Sequence, residues 1–258
     1  MDLEGFGPHV FSLAGKAAVV TGGTTGLGRA FTVALAAAGA DVLVATLTPD
    51  DGETARLVAA HGRRLVVVEA DVTAPGVPAE VVRRCVDELG SLDVLVNSAG
   101  ICLLADVEDF GRERWDPMLA VNLTAVFELS HHAAAVMRAQ GSGKIVNVAS
   151  LFSYLGGRSS PAYAATKAGV AGFTRAYCDE LAADGIQVNA IAPGYIATAL
   201  TTEARADPES NRRVVEHIPA GRWGDPADLM GALVFLASPA SDYVNGHTLV
   251  VDGGYLVR

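Results

Sequence analysis

The chain has 258 residues, half of them hydrophobic and 19% charged, which is enough apolar content to bury a full core in one large α/β domain or two small ones. Its formal charge of -10 at pH 7, with no lysine or arginine cluster to offset it, repels phosphate backbones and excludes nucleic acid as a partner. Cys85, Cys102 and Cys178 are odd in number and widely spaced, which fits neither a disulfide framework nor a zinc site and points to a reducing cytoplasm. The segment Met1 to Lys16 lacks a basic stretch followed by an apolar run, and the uncharged run from Gly185 to Thr202 is broken by Asn189, Pro193 and Gly194. A soluble, unprocessed protein with no membrane segment is expected.

From Lys16 onward, short β-branched runs alternate with longer alanine-rich stretches of helical period, the mark of repeated βα units and a parallel sheet. Strands are predicted at Ala17 to Thr21, Asp41 to Thr46, Arg64 to Glu69, Leu92 to Asn97, Lys144 to Val148, Ile186 to Ile191 and Thr248 to Val251. Between them helices are predicted at about Gly26 to Ala38, Asp50 to His61, Pro78 to Leu89, Arg112 to Gln140, Ala162 to Ala183 and Pro226 to Leu236. Tyr195 to Arg222 is a long stretch with no strand of its own, and connections of that length are usually lids or binding loops. No linker interrupts the rhythm, so residues 1–258 are expected to form a single domain. An open doubly wound sheet and a closed eight-fold barrel both accept this pattern, and the glycine cluster after the first strand favours the open sheet. The expected fold is therefore a Rossmann-like α/β sheet of seven parallel strands.

The first strand runs into Thr21-Gly22-Gly23-Thr24-Thr25-Gly26-Leu27-Gly28 and then into an alanine-rich helix. In such a turn Gly22 permits the tight bend, Gly26 lets the backbone approach a pyrophosphate, and Gly28 lets the helix pack close to the sheet. Thr46 ends the second strand, where an acidic residue would grip an adenosine ribose. No acid stands there. Asp50 and Asp51 follow closely, and negative charge at this end favours NAD over NADP without excluding the latter.

Tyr163 and Lys167 are four residues apart on a predicted helix, so they leave one face a turn apart. Bringing a tyrosine from about 10 to neutrality takes about three pH units, or roughly 4 kcal/mol. An ammonium at about 4 Å supplies roughly that at an effective dielectric near 20. Tyr163 could then take a proton from an alcohol. No G-x-S-x-G elbow surrounds Ser150 and no histidine is suitably placed, which sets a serine hydrolase aside. The six histidines show no metal-ligand spacing, so no metal is expected.

The spacing of Gly22, Gly26 and Gly28, with Ser150 thirteen residues before Tyr163 and Asn122 twenty-eight before Ser150, resembles the short-chain dehydrogenase/reductase superfamily. The likeness covers nearly the whole chain, from Leu13 to Gly254. It implies an NAD(P)-dependent oxidoreductase with Asn122, Ser150, Tyr163 and Lys167 as its catalytic tetrad. Tyr163 would be the general acid/base and Ser150 a donor to the substrate oxygen. Lys167 would lower the tyrosine pKa and bind the nicotinamide ribose, and Asn122 would hold a water linking the lysine to solvent. Asp71-Val72 resembles the family's adenine contact, and Asn97-Ser98-Ala99-Gly100 its N-N-A-G motif with serine at the second position. Pro193-Gly194-Tyr195-Ile196-Ala197-Thr198 resembles its P-G motif, which would clamp the nicotinamide.

The carboxyl-terminal third, with Ile218-Pro219-Ala220-Gly221-Arg222-Trp223-Gly224, resembles 2-dehydro-3-deoxy-D-gluconate 5-dehydrogenases, also called 2-deoxy-D-gluconate 3-dehydrogenases. That implies an acidic sugar substrate, NAD and a homotetramer pairing its long helices. Members of that group tend to carry arginines shortly after the N-N-A-G motif, whereas this chain has Ile101-Cys102-Leu103-Leu104, a lip suited to a less charged substrate. Arg158, Arg205 and His217 are the remaining candidate polar contacts. A 3-oxoacyl carrier-protein reductase is the enzymatic rival, and a cofactor-binding protein without catalysis is the rival of another class.

Overall fold

The protein is described from a computed structural model covering residues 5–258; the first four residues of the amino-terminal segment lie outside the described residues. Seven strands, β1 (Ala17–Thr21), β2 (Asp41–Thr46), β3 (Leu65–Glu69), β4 (Val94–Asn97), β5 (Gly143–Val148), β6 (Ile186–Pro193) and β7 (Thr248–Val251), form one parallel sheet. Their order is β3-β2-β1-β4-β5-β6-β7. The helices are α1 (Gly26–Ala37), α2 (Glu53–Ala60), α3 (Val77–Leu89), α4 (Arg112–Leu119), α5 (Ala125–Gln140), α6 (Pro161–Leu181), α7 (Thr202–Ala206), α8 (Pro208–His217) and α9 (Met230–Ala237). The expected seven-stranded, doubly wound sheet is present.

Successive strand residues point to opposite faces, and each face finds its own helices. Ala17, Val19, Leu43, Ala45, Leu95, Ile145 and Ile186 pack under Val81, Val82 and Cys85 of α3 and Leu129, Ala133 and Met137 of α5. Ala18, Val20, Val42, Val44, Val96 and Val146 pack on the other face under Phe31 and Leu35 of α1 and Leu233 and Leu236 of α9. Both faces are thus covered, which is why β1, β2, β4 and β5 are buried at every position and mainly apolar, with Asp41, Lys144 and Asn147 among the buried polar exceptions. Each fully buried Val, Leu or Ile contributes about 1.5–3 kcal/mol. The strand order reverses between β1 and β4, so their carboxyl ends open a crevice at the switch point.

Several boundaries differ from the sequence expectation. The helix expected from Asp50 begins at Glu53, because Asp50 and Asp51 lie before it and accept from the amides of Ala55 and Glu53. The single helix expected over Arg112 to Gln140 is α4 and α5 joined by a π-helical turn, Ala120–Thr124, which carries Asn122. The helix expected from Pro226 opens as a 3-10 turn, Pro226–Leu229, before α9. The stretch Tyr195 to Arg222 is not an open loop, since it folds into a 3-10 turn at Ala199–Thr201 followed by α7 and α8. Asp207 ends α7 and caps α8 by accepting from Ser210 N at 2.8 Å, and Pro208 takes the first position of α8. No helix among the described residues is long and apolar enough to cross a membrane.

Candidate active site

The crevice at the switch point is a cleft of about 400 Å³. Its floor is the turn between β1 and α1, and the backbone there leaves no room for side chains. Gly22 has φ +65°, and a Cβ on it would sit 3.2 Å from Ala99 Cα; a Cβ on Gly28 would fall 2.1 Å from the Gly22 carbonyl oxygen. Thr25 stands before α1 and its side chain does not cap the helix, so the first amides of α1 face the cleft. Such a helix start carries partial positive charge and suits a pyrophosphate. Gly22, Thr25, Gly26, Leu27, Gly28, Thr46, Asp71, Val72, Ala99, Gly100 and Thr198, all singled out from sequence, line this cleft together.

At the far end, past Thr46, the chemistry is largely uncharged. The Thr46 hydroxyl donates to the Thr48 carbonyl at 2.9 Å and so accepts from the Thr24 hydroxyl, also at 2.9 Å. A ribose placed here meets an acceptor on Thr46 and no proton. Thr24 itself is buried beneath the cleft and braces Thr46 without lining the wall. Arg29 is held by Asp51, both of whose carboxylate oxygens lie 2.7 Å from its Nη2, and that contact holds the Asp51 carboxyl below the usual carboxylate range. Asp71 accepts from both the amide and the hydroxyl of Thr73, and these bonds keep its carboxyl ionised to lower pH than usual.

Ser150, Tyr163, Lys167 and Asn122 gather beside the Gly100–Ile101 wall and do not themselves line this cleft. Ser150 ends β5 and Tyr163 and Lys167 lie one turn apart on α6. Two contacts that sequence reasoning missed hold these elements together: Ser153 Oγ donates to the Lys167 carbonyl at 2.7 Å, and Phe152 meets the Tyr163 ring edge-on at 5.7 Å. Burial pushes the Tyr163 hydroxyl up to about 12, against a hydrogen bond from the Ser150 side chain that favours the phenolate. Burial also pushes the Lys167 ammonium down to about 8. Lys167 thus stands beside the tyrosine as a buried cation. Its Nζ donates to the Val148 carbonyl at 2.7 Å and lies 5.5 Å from the centre of the Tyr163 ring.

Asn122 is fully buried on the π-helical turn, and its side chain grips the Ile101 backbone at both ends, accepting from N at 2.9 Å and donating to O at 2.8 Å. Each end of the amide keeps one further hydrogen-bonding position, since its NH2 carries a second proton and its oxygen a second lone pair. A Cβ on Gly100 would lie 3.3 Å from Asn122 Oδ1 and 3.8 Å from Lys167 Nζ, which shows how closely the three converge. Cys102 also enters the site, 3.6 Å from the Ser160 hydroxyl, and burial raises its thiol pKa.

Some sequence candidates sit outside the cleft wall. Asn97 is buried in the sheet layer, donating to Ser130 Oγ at 3.0 Å and Asn147 Oδ1 at 2.8 Å. Pro193 ends β6, and a Cβ on Gly194 would meet Asp252 Cα at 2.6 Å, so that glycine serves the close approach of the carboxyl-terminal turn. Ile196 belongs to the core and packs against Gly224. Thr198 alone of that motif reaches the cleft, with Ala199 and Leu200 beside it. Ala45, Leu47, Thr48, Ala70, Ser98, Ile101 and Val121 also line it and carry no polar signature that sequence could have flagged, Thr48 and Ser98 excepted.

A parallel sheet with a glycine-floored crevice at its switch point, and a tyrosine, lysine and serine beside its wall, defines a dinucleotide-dependent oxidoreductase. The family described as enoyl-(acyl carrier protein) reductase matches residues 22–256. The chain is 58% identical over 257 residues to an uncharacterized oxidoreductase of Escherichia coli K12, covering all of this chain and 98% of that one. It is 48% identical over 250 residues to a 2-dehydro-3-deoxy-D-gluconate 5-dehydrogenase of the same organism, covering 96% and 98%. A crystal structure of a proposed 2-deoxy-D-gluconate 3-dehydrogenase from Agrobacterium tumefaciens with bound NADP is 46% identical, covers 96% of this chain and 99% of that one, and superposes with a TM-score of 0.88. The chain belongs to the short-chain dehydrogenase/reductase family. It is an NAD(P)-dependent oxidoreductase acting on CH-OH groups.

Proposed function

We propose that the enzyme interconverts a secondary alcohol and a ketone on a sugar acid of the 2-deoxy-D-gluconate kind. The observation that carries the reading is the convergence of Ser150, Tyr163 and Lys167 beside the Gly100 wall of a cleft whose glycine floor suits a dinucleotide. The sugar acid enters from the names of the relatives at 48% and 46% identity. Gly22, Gly26, Leu27 and Gly28 would seat the pyrophosphate, Asp71 and Val72 the adenine, and Thr198 the nicotinamide end. A bound nicotinamide would supply the acceptor for a hydride from the carbinol carbon, or its donor in the reverse direction.

The chain's own residues do the rest. Tyr163 would act as the phenolate, a form that the Lys167 ammonium and a bound nicotinamide cation favour, and take the hydroxyl proton as the hydride leaves, so that the carbinol becomes a carbonyl and the phenolate a phenol. Ser150 donates to the substrate oxygen and stabilises the charge that develops there. Lys167 supplies the positive field behind Tyr163 and a hydrogen bond to the nicotinamide ribose. Asn122 positions the Ile101 backbone at the mouth of the site and would hold a water that links Lys167 to solvent for proton relay.

We infer a preference for NAD, supported by the acidic Asp50 and Asp51 that follow Thr46 and by the pairing of Arg29 with Asp51, which leaves that arginine no free charge to offer a 2'-phosphate. Residues 1–258 act as one catalytic domain with the 195–222 segment over the substrate, in a cytoplasmic homotetramer. The apolar lip at Ile101, Leu103 and Leu104, the last of them 62% exposed, favours a second reading with a neutral or apolar carbonyl substrate. Initial rates on sugar acids, neutral polyols and hydrophobic secondary alcohols, with NAD and NADP in parallel, test all of this. Turnover of 2-deoxy-D-gluconate with NAD, abolished in Tyr163→Phe, is the expected result. Turnover of neutral alcohols alone would discard the sugar acid and keep the mechanism.

A further inference from the structure

Arg205 is set apart from most other arginines near the site. Arg29 is paired with Asp51 and Arg222 with Asp228, each at 2.7 Å. Arg205 has no carboxylate partner among the described residues; its Nη2 donates to the Thr198 carbonyl at 3.0 Å, and its Nε is buried with no acceptor. A buried donor on a charged group without an acceptor is unfavourable, so this guanidinium sits where an anion would complete it. It stands on α7, directly behind the Thr198–Leu200 wall of the cleft.

Two anions could reach that wall, the cofactor pyrophosphate and a substrate carboxylate. The pyrophosphate already faces the open start of α1 at Gly26 to Gly28. The catalytic end has no such provision: Ser150 and Tyr163 carry no positive charge, Lys167 serves Val148, Tyr163 and the nicotinamide ribose, and the lip over them is Ile101, Cys102, Leu103 and Leu104. We propose that Arg205 receives the substrate carboxylate and sets the preference of this enzyme for acids over neutral polyols. A guanidinium takes a carboxylate through two parallel hydrogen bonds, which fixes the sugar's orientation as well as its charge. The proposal rests on the sugar-acid reading of the site. Arg205 thereby does the work of the arginines missing after the Asn97–Gly100 turn.

The test compares KM and kcat of wild type, Arg205→Ala, Arg205→Lys and Arg158→Ala on 2-deoxy-D-gluconate and D-gluconate. The neutral polyol D-glucitol is the reference, through its KM or, where it is not turned over, its inhibition constant. Fluorescence titration gives the Kd for NADH and NADPH. Arg205→Ala should raise KM for the acids on the order of 10- to 100-fold, with the glucitol constant and both cofactor Kd values unchanged. Arg205→Lys should recover part of the loss, and added guanidinium should restore Arg205→Ala on the acids. Thermal melts establish that the variants are folded, and a misfolded Arg205→Ala leaves Arg205→Lys to carry the comparison. An equal loss on acid and polyol would reduce Arg205 to a brace for Thr198, and a weakened cofactor Kd would move it to the pyrophosphate; either overturns the proposal. So does an acid-selective loss in Arg158→Ala alone. Wild type active on acids with an indifferent Arg205 overturns this inference and leaves the sugar-acid reading standing, whereas wild type inert on every acid overturns both.

Discussion

Lys167 is an expensive residue. Its ammonium lies buried with a single carbonyl, that of Val148, as its hydrogen-bond partner, and burial brings its pKa down to about 8. A lysine whose folded value is depressed destabilises the fold while it is charged in the native state. The penalty is complete below about pH 8 and is relieved as pH rises towards its unfolded value near 10.5. Lys167→Met is therefore expected to abolish oxidation yet raise stability at pH 7 by roughly 1–3 kcal/mol, less the cost of orphaning the Val148 carbonyl. Thermal melts at pH 7 and pH 9.5 check this, and the gain should shrink at the higher pH. Tyr163 works in the opposite sense only above pH 10, since its raised value favours the neutral phenol in the fold. A variant less stable than wild type at pH 7 would show that the lysine's bond to Val148 outweighs its desolvation.

Among the elements, the π-helical turn between α4 and α5 has the clearest consequence. A straight helix across residues 112–140 keeps its 3.6-residue period, and nothing in the local sequence demands an extra residue per turn. The widened turn becomes worthwhile only because Asn122 then reaches both backbone groups of Ile101, a residue twenty-one positions away on a different loop. Asn122→Ala leaves two buried backbone groups without partners, which costs about 1–3 kcal/mol each at most. Denaturant unfolding should show that loss, and amide exchange at Ile101 should accelerate well beyond that of the neighbouring core strands. Unchanged protection at Ile101 would mean that the loop is held by other contacts. The segment after Thr198 makes the same point from the other side. Asp207-Pro208 is a readable helix start, with the cap and N1 residues in order, but the missing strand masked it and the stretch reads as a loop.

For the whole molecule, the doubly wound sheet explains both where the cleft lies and where the surface is left apolar. The α5 and α6 helices carry an aromatic cluster in which Phe127, 44% exposed, meets Phe173 and Tyr177 edge-on at 6.3 and 6.5 Å. The proposed homotetramer would cover this face. Light scattering should give four times the 26.6 kDa of one chain for wild type, and Phe127→Glu should lower that mass, because a carboxylate buried in an apolar interface lacks a partner. A monomer in wild type would retire the tetramer.

The sequence by itself determined the order of strands and helices, the glycine-floored turn and the candidate tetrad, because each depends on local rules: period, backbone freedom and spacing along one helix. Thus Gly22, Gly26 and Gly28 were legible from their places between a strand and a helix, and Tyr163 and Lys167 from their four-residue interval. The tertiary structure alone decided what surrounds those groups. It sends Lys167 to Val148 and turns Asn122 onto Ile101. It hides Asn97 inside the sheet, and it leaves Arg205 unpaired behind Thr198. Desolvation and long-range hydrogen bonding depend on which residues the assembled sheet brings within a few ångströms, and no local pattern in the chain encodes that.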